Sequence, residues 1–472
     1  MTGIRSLWII YLTIMHKVVE GDCDMSTMMQ KMMGMIHSPM MPAAIRMLSK
    51  EGVQRKGWLK AGAKIAGISQ FVKGFSFPHM VRVMAGMGAW PTNVPIYAQL
   101  NELIPKLCGV PFDYLFRDDP VAMAECSLLV WEYADLDVIT LNLDGYNFEA
   151  ESTGAKLNFY PDHAPDIDRA SLLIKDENDL DKIKWNGMSS GRFPYIKQYC
   201  EEFNGYVGFM PPLCFSAPWT LASNLYGLEN LVMGTIEDPE FVHELLRRIV
   251  EDLEIPMLKD LVKDVPGLLI ISFADAMASS PMVSPDILTE YVEPYYMKVH
   301  AALKELLPNA IVNNSGIFGS STLRGEGKKQ FIDSTIRMAG QLFVFDPDVA
   351  KDSPEYYVDY ANSYGCPILI GMSQNVLEQE SPEEVAQYAK QYVLAGKKSK
   401  LPYTFFFSNI SPNTPVENIA AAVKAVKVYG KPGADGSEEY ELPKTMSFEE
   451  FLKKKQADNV EGYTFRWLEK RV

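Results

Sequence analysis

An α/β fold of the (β/α)8, TIM-type barrel kind, parallel strands inside and helices outside, is what this sequence predicts, on three observations. Short continuous apolar runs recur along the chain, amphipathic helical patterns lie between them, and the helices open on a capping residue followed by proline. The runs at 138–143, 206–210, 268–273, 310–313, 341–345, 367–370 and 403–407 have the length and the β-branched or aromatic content of buried strands. They are continuous rather than alternating, as a parallel sheet covered by helices requires.

The helices are as legible. Phe241, Leu245, Ile249 and Leu253 form an apolar stripe at four-residue spacing. Asp119-Pro120, Asp238-Pro239, Ser284-Pro285, Ser353-Pro354, Ser381-Pro382 and Thr414-Pro415 each set a capping oxygen before a proline, which loses no needed donor at the first helical position. Ser381 with Glu384, and Thr414 with Glu417, extend this to capping-box spacing. Strand, loop, capped helix, strand is a βα repeat. No G-x-G-x-x-G follows a strand, which favours a closed barrel over a doubly wound dinucleotide-binding sheet.

The organisation expected is an N-terminal extension over 1–60, helical or loosely ordered, a barrel over 61–435, and a tail with a short helix over 436–472. Residues 6–15 (SLWIIYLTIM) imitate the apolar part of a secretion signal, but no small-x-small cleavage site follows and the run is too short to span a bilayer. Met25 opens an alternative start, and no other segment is suited to crossing a membrane.

Composition narrows the function. The chain has 472 residues, 47% of them hydrophobic, a formal net charge of −15 and a pI near 5.0. Such an acidic chain lacks the basic face that nucleic acid needs. Six cysteines without a C-x-x-C pair read as thiols in a reducing compartment, hence a cytoplasmic protein. Methionines crowd residues 25–47, a soft and adaptable apolar surface.

Polar residues collect at the carboxyl ends of the expected strands. They are Asp144, then Cys214 and Ser216, then Asp275, then Asn313, Asn314 and Ser315, then Asp346, then Ser373, Gln374 and Asn375, then Ser408 and Asn409. In a barrel these ends share one mouth, where active sites sit, although any loop in water is polar too. Cys214 reads equally as a buried thiol, Asp346 as a helix cap, Glu149 and Glu151 as a solvated helix face, and the aromatic run 403–407 as a core strand. His163 lies in a proline-punctuated loop, and His243 and His300 lie inside helices.

Residues 213–238 read LCFSAPWTLASNLYGLENLVMGTIED, and with the PEFVHELL that follows they resemble the uroporphyrinogen decarboxylase superfamily. DGYNFEAESTG at 144–154, SPMVSP and YVEP within 278–294, and the segments 311–316, 370–375, 381–385 and 412–415 resemble that family in the same order. The resemblance covers about residues 100–430 and implies a (β/α)8 barrel. It also offers two chemistries, porphyrinogen decarboxylation and methyl transfer with a corrinoid protein.

The resemblance also shows what this chain lacks. Asp144 matches the substrate-facing aspartate of the decarboxylases. No arginine-containing L-R-Q-A-G-R segment is found, Asn224 stands where a tyrosine follows A-P-W-T-L, and Ser408 stands where a histidine precedes G-I-x-P-x-T-P. Against the thiol methyltransferases, Asn313 and Ser315 replace the His-x-Cys zinc ligands and Ile370 the later cysteine, so no zinc is expected. What remains is a corrinoid-linked methyltransferase. It would serve a small methylated substrate of methoxy or methylamine type, or tetrahydrofolate, with cobalamin carried by a partner corrinoid protein and no tightly bound cofactor of its own. A decarboxylase-like lyase and a non-catalytic ligand-binding or scaffold barrel are the alternatives, and a homodimer is the oligomer considered. Asp144 and Glu149 are the candidates for acid–base work, with Asn313 and Asn314 for hydrogen bonding. Cys214, Trp219, Asn224, Asp275, Ser315, Asp346, Ser408 and Asn409 are the candidates for substrate contact.

Overall fold

Strands form on five of the apolar runs, and most of them extend into the polar residues that follow. The computed structural model describes residues 94–457 apart from 138–143, 145, 208, 209, 211, 269 and 309. The strand expected at 138–143 and the extension expected at 1–60 therefore lie outside the described residues. Nine strands are described: β1 Ile96–Gln99, β2 Leu157–Asn158, β3 Asp166–Ile167, β4 Leu213–Ser216, β5 Ile270–Ala274, β6 Ile311–Ser315, β7 Leu342–Phe345, β8 Ile368–Met372 and β9 Tyr403–Asn409.

β2 and β3 form a short antiparallel ribbon, and every other described ladder is parallel. The ladders run in the orders β4-β5-β6 and β1-β9-β8-β7. Within the ladders, β4, β5 and β6, and β7, β8 and β9, pair in chain order and are joined through outer helices, while the first strand pairs with the last. That is the strand order of a (β/α)8 barrel, not of a doubly wound sheet.

Two expectations are corrected. Residues 206 and 207 end the helix Phe193–Val207, in which Phe193, Ile196, Tyr199, Cys200 and Phe203 form a buried stripe at helical spacing. Cys214 and Ser216 consequently lie within β4, not in a loop after a strand, just as Asn313, Asn314 and Ser315 lie within β6 and Ser408 and Asn409 within β9. Thr414 does not cap. Pro415 occupies the N-cap position of the helix Val416–Tyr429, which displaces Thr414 by one residue and leaves its buried hydroxyl without a partner among the described residues.

The other caps form as read. Asp119, Asp238, Ser284, Ser353 and Ser381 each accept a backbone N–H of the first turn, and Ser381 and Glu384 close a full capping box. Phe241, Leu245, Ile249 and Leu253 are all buried in one continuous core. After the barrel, the helix Phe448–Ala457 docks on Tyr133, whose ring lies 5.1 Å from Phe448 and 5.4 Å from Phe451. No helix of the described residues is long and apolar enough to cross a membrane.

Candidate active site

The parity of the strands decides which residues see the barrel lumen, since successive side chains point to opposite faces. Phe273 of β5 packs on Tyr296 of the helix Glu293–Leu306, ring centroids 5.8 Å apart, so Phe273 faces outward and Ser272 inward. The register then puts Cys214, Ser272 and Asn313 in one inward row, and Ser216, Ala274 and Ser315 in the next. On the other arc, the Tyr403 hydroxyl donates to the carbonyl of Tyr392 in an outer helix, which turns Thr404, Phe406 and Ser408 inward. Tyr97, Phe343, Phe345 and Gly371 are in register with these residues and share their face. Among the described residues, the inward face of β4, β5 and β6 is polar, and that of β1, β7, β8 and β9 is rich in aromatic rings.

Carboxylates ring the carboxyl ends of β4 and β5. Glu149, fully buried, accepts from the Ser216 backbone N–H at 2.6 Å and from the Ser216 hydroxyl at 3.4 Å, and burial lifts its carboxyl to about 7. Asp275 accepts from the Thr220 N–H at 2.9 Å and its hydroxyl at 2.8 Å, and burial lifts it to about 6. It thereby caps the helix Pro218–Tyr226, whose own N-cap residue, Ala217, has no side-chain acceptor. Asp144 is lifted by burial to about 6 against the pull of Arg192, whose Nη2 sits 2.7 Å from its Oδ2. Arg192 also holds Glu151 at 2.6 Å and donates to the carbonyl of Phe116 at 2.9 Å. The Cys214 thiol is pushed up to about 11 by burial and is a protonated thiol at neutral pH.

The expected site residues separate. Asp144, Glu149, Cys214 and Asp275 belong to one electrostatic neighbourhood, in which Glu149 senses Asp144, Cys214 senses Glu149, and Tyr146 senses both Cys214 and Asp275. Asn224 supports it by donating at 2.5 Å to the carbonyl of Tyr146, a residue held at φ 86°. Asn313 and Ser315 face the lumen. Asn314 does not join them, because it points outward to Asp275 at 3.4 Å and to the Met338 sulfur at 3.8 Å. Trp219 is buried among the outer helices, bonded to the Met277 carbonyl at 3.2 Å. Asp346 accepts from the Tyr392 hydroxyl and the Ser373 N–H, Ser408 accepts from the Gln374 N–H at 3.1 Å, and Asn409 donates to Glu102 at 2.9 Å. These three brace the opposite arc. His163 is exposed beside Asp162, and His243 stacks on Tyr291 in the helix layer.

The family model described as uroporphyrinogen decarboxylase (URO-D) matches residues 107–429. The chain belongs to the uroporphyrinogen decarboxylase family. It is 26% identical over 354 residues to a methylated-thiol–coenzyme M methyltransferase of Methanosarcina mazei, covering 74% of this chain and 87% of that protein. It is 26% identical over 171 residues to a uroporphyrinogen decarboxylase of Aliarcobacter butzleri, covering 33% of this chain and 45% of that one. A solved methyltransferase from Methanosarcina mazei shares the fold, with a TM-score of 0.59 at 18% identity over 74% of this chain and 98% of that one.

Within this URO-D barrel, residues that composition and motifs passed over carry much of the site. Arg192 is buried and already divided between two carboxylates, so it has no fork left for a substrate carboxylate. Glu254 is fully buried and neither of its oxygens has a partner among the described residues. Its signal was present in the sequence, because Glu254 stands four residues after Val250 and four before Leu258, on a buried stripe. Ile370, which the resemblance set at a zinc-ligand position, points outward with Phe405 and is fully buried. That position is therefore not in the lumen. The inward donors Asn313, Ser315 and Cys214 do not make a zinc set, and no group of three His, Cys, Asp or Glu suited to a metal occurs among the described residues.

Proposed function

We propose that this chain is a methyltransferase moving a methyl group between a corrinoid protein and a small methylated compound of methoxy or methylamine type, or tetrahydrofolate, without zinc. Family membership and the 26% identity to a methyltransferase across 74% of the chain support the methyl-transfer side of the family. The observation that carries the reading is Glu149, a buried carboxyl lifted to about 7 beside the lumen-facing Ser216. A carboxylic acid still protonated near neutral pH is what a departing alkoxide or amine needs.

The corrinoid of the partner supplies the cobalt that exchanges the methyl group. The chain's own part is protonic: as the C–O or C–N bond breaks, its electron pair stays on the heteroatom and Glu149 delivers the proton there. Ser216, whose N–H and hydroxyl hold the Glu149 oxygens, fixes the carboxyl in place. Porphyrinogen decarboxylation is disfavoured because Arg192 is committed to Asp144 and Glu151.

The test supplies reduced cobalamin and a panel of methyl ethers, methylamines and methyltetrahydrofolate, and follows the demethylated product. Turnover is expected to fall as pH rises through about 7, where Glu149 loses its proton. Glu149→Gln is expected to lower kcat roughly a hundredfold to ten-thousandfold and to remove that alkaline limb. Protein purified without chelators is expected to hold substoichiometric zinc. No product from any donor, together with decarboxylation of a porphyrinogen, overturns the reading.

A further inference from the structure

We infer that residues 1–93 seat on the amino end of the barrel and close its floor, so that the lumen meets water at the mouth alone. This goes beyond the methyl-transfer reading and does not depend on it.

Toward the amino end the inward face turns apolar and stays uncovered. Strand parity carries the inward row of Ser272 and Asn313 back two residues to Ile270 and Ile311, and Leu369 of β8 shares the inward face through its pairing with Thr404. Ile270 and Leu369 are only half-buried and Ile311 is 36% exposed, whereas their outward neighbours Ile271, Ile368 and Ile370 are at 0%. The helix layer thus seals the outside of these strands, and the inside is left open at the end where they begin. The rim of that end is apolar too. Leu401, two residues before β9, is 40% exposed, and Tyr364, which ends the helix Pro354–Tyr364 ahead of β8, is 43% exposed. The interior of a (β/α)8 barrel is a packed core and its amino-end face serves stability, so apolar side chains facing water there mark a surface that is covered in the whole protein.

Position, composition and charge name the occupant. β1 runs parallel to β9, so the chain enters β1 from the floor side, and residue 93 stands three positions before Ile96, within about 10 Å of chain. Residues 1–93 hold fourteen of the 25 methionines, along with the apolar run 6–15. Methionine is unbranched and polarizable, which suits it to an irregular apolar recess. The same residues hold eleven of the 45 lysines and arginines but only four of the 60 aspartates and glutamates, so they are basic while the remainder of the chain is strongly acidic. Opposite charge draws this segment to its own barrel, whereas the barrel of a second copy brought to the same face would carry the same negative charge.

Photocrosslinking of the full chain tests this, with benzoylphenylalanine in place of Leu401 or of Tyr364 at the rim. Irradiation is expected to join each position to a peptide within residues 1–93 at the mass of one chain. The same probe in place of Ile236, 75% exposed on the outer helix Leu228–Glu237, is expected to give far less of that product. Ile311→Asp sets a charge on the floor and is expected to speed tryptic cleavage within residues 1–93 roughly tenfold, with the far-ultraviolet circular dichroism unchanged. Should that variant fail to fold, the crosslinks decide alone. Crosslinks found only at the mass of two chains would make the floor an interface between copies and overturn the inference. Equal crosslinking from position 236, no crosslink to residues 1–93, or an unchanged cleavage rate in a folded Ile311→Asp protein overturns it as well.

Discussion

Arg192 and Asp144 form an ion pair with both side chains removed from water, Nη2 to Oδ2 at 2.7 Å. The guanidinium is further fixed by Glu151, by the Phe116 carbonyl and by the rings of Phe148 and Phe159, 4.4 and 4.9 Å from its centre. One arginine at the start of the helix Phe193–Val207 thereby joins Asp144 and Glu151 to Phe116 and to Phe159, the residue after β2.

Breaking this pair from one side leaves buried charge behind. Arg192→Met is expected to lose about 3–5 kcal/mol of stability, because Asp144 and Glu151 keep their carboxylates without a counter-charge. Adding Asp144→Asn to that variant is expected to recover part of the loss. A double-mutant cycle by urea unfolding measures it, and strictly additive single effects would show that the two side chains are not coupled.

The buried acids Glu254, Glu149 and Asp275 make stability depend on pH. Burial raises each above its ordinary carboxylate range, so the folded state binds the proton more tightly than the unfolded chain does. Their stabilising contribution is complete below the unfolded pKa of about 4 and is lost as pH rises through the folded values. The wild-type urea midpoint is expected to drop between pH 5 and pH 8. Glu254→Gln is expected to drop less and to be the more stable protein at pH 8, by about 1–3 kcal/mol. An unchanged pH slope in the variant would mean that Glu254 finds a charged-state partner.

Gly371 lies against the backbone carbonyl and ring of Phe406. Gly371→Ala is expected to destabilise the barrel by about 1–3 kcal/mol through overpacking, seen as a lowered melting temperature. Gly154, where a Cβ would meet nothing within 4 Å, isolates a different effect, since Gly154→Ala strains only a backbone held at φ 97°.

Two similar helix-start motifs are expected to behave differently. Ser381→Ala removes a formed capping box and is expected to cost about 1 kcal/mol, whereas Thr414→Val removes a buried hydroxyl that bonds to nothing described and is expected to be neutral or stabilising. Thermal melts of the two variants decide it. A comparable loss in both would give Thr414 a partner.

The fold was legible in the sequence because its signals are local. Continuous apolar runs, a four-residue stripe through Phe241 and Leu253, and five acid- or hydroxyl-proline caps need only neighbouring residues to be read; the stripe and the caps form, and five of the apolar runs become strands, whereas residues 206 and 207 end a helix. Family resemblance was legible for the same reason, in the run 213–238. Side-chain direction was not. Whether Asn313 or Asn314 faces the lumen depends on strand parity, which is set by Phe273 meeting Tyr296 on a helix, and a one-residue shift reverses it. Nor could spacing show that Arg192 reaches Asp144 from 48 residues away, that Asp275 caps a helix 55 residues before it, or that Glu254 lies buried near both Glu149 and Asp275. Local chemistry determined where the helices and strands lie. Only the closing of distant strands into one barrel decided which polar groups lose water together, and so which carboxyl holds its proton near neutral pH.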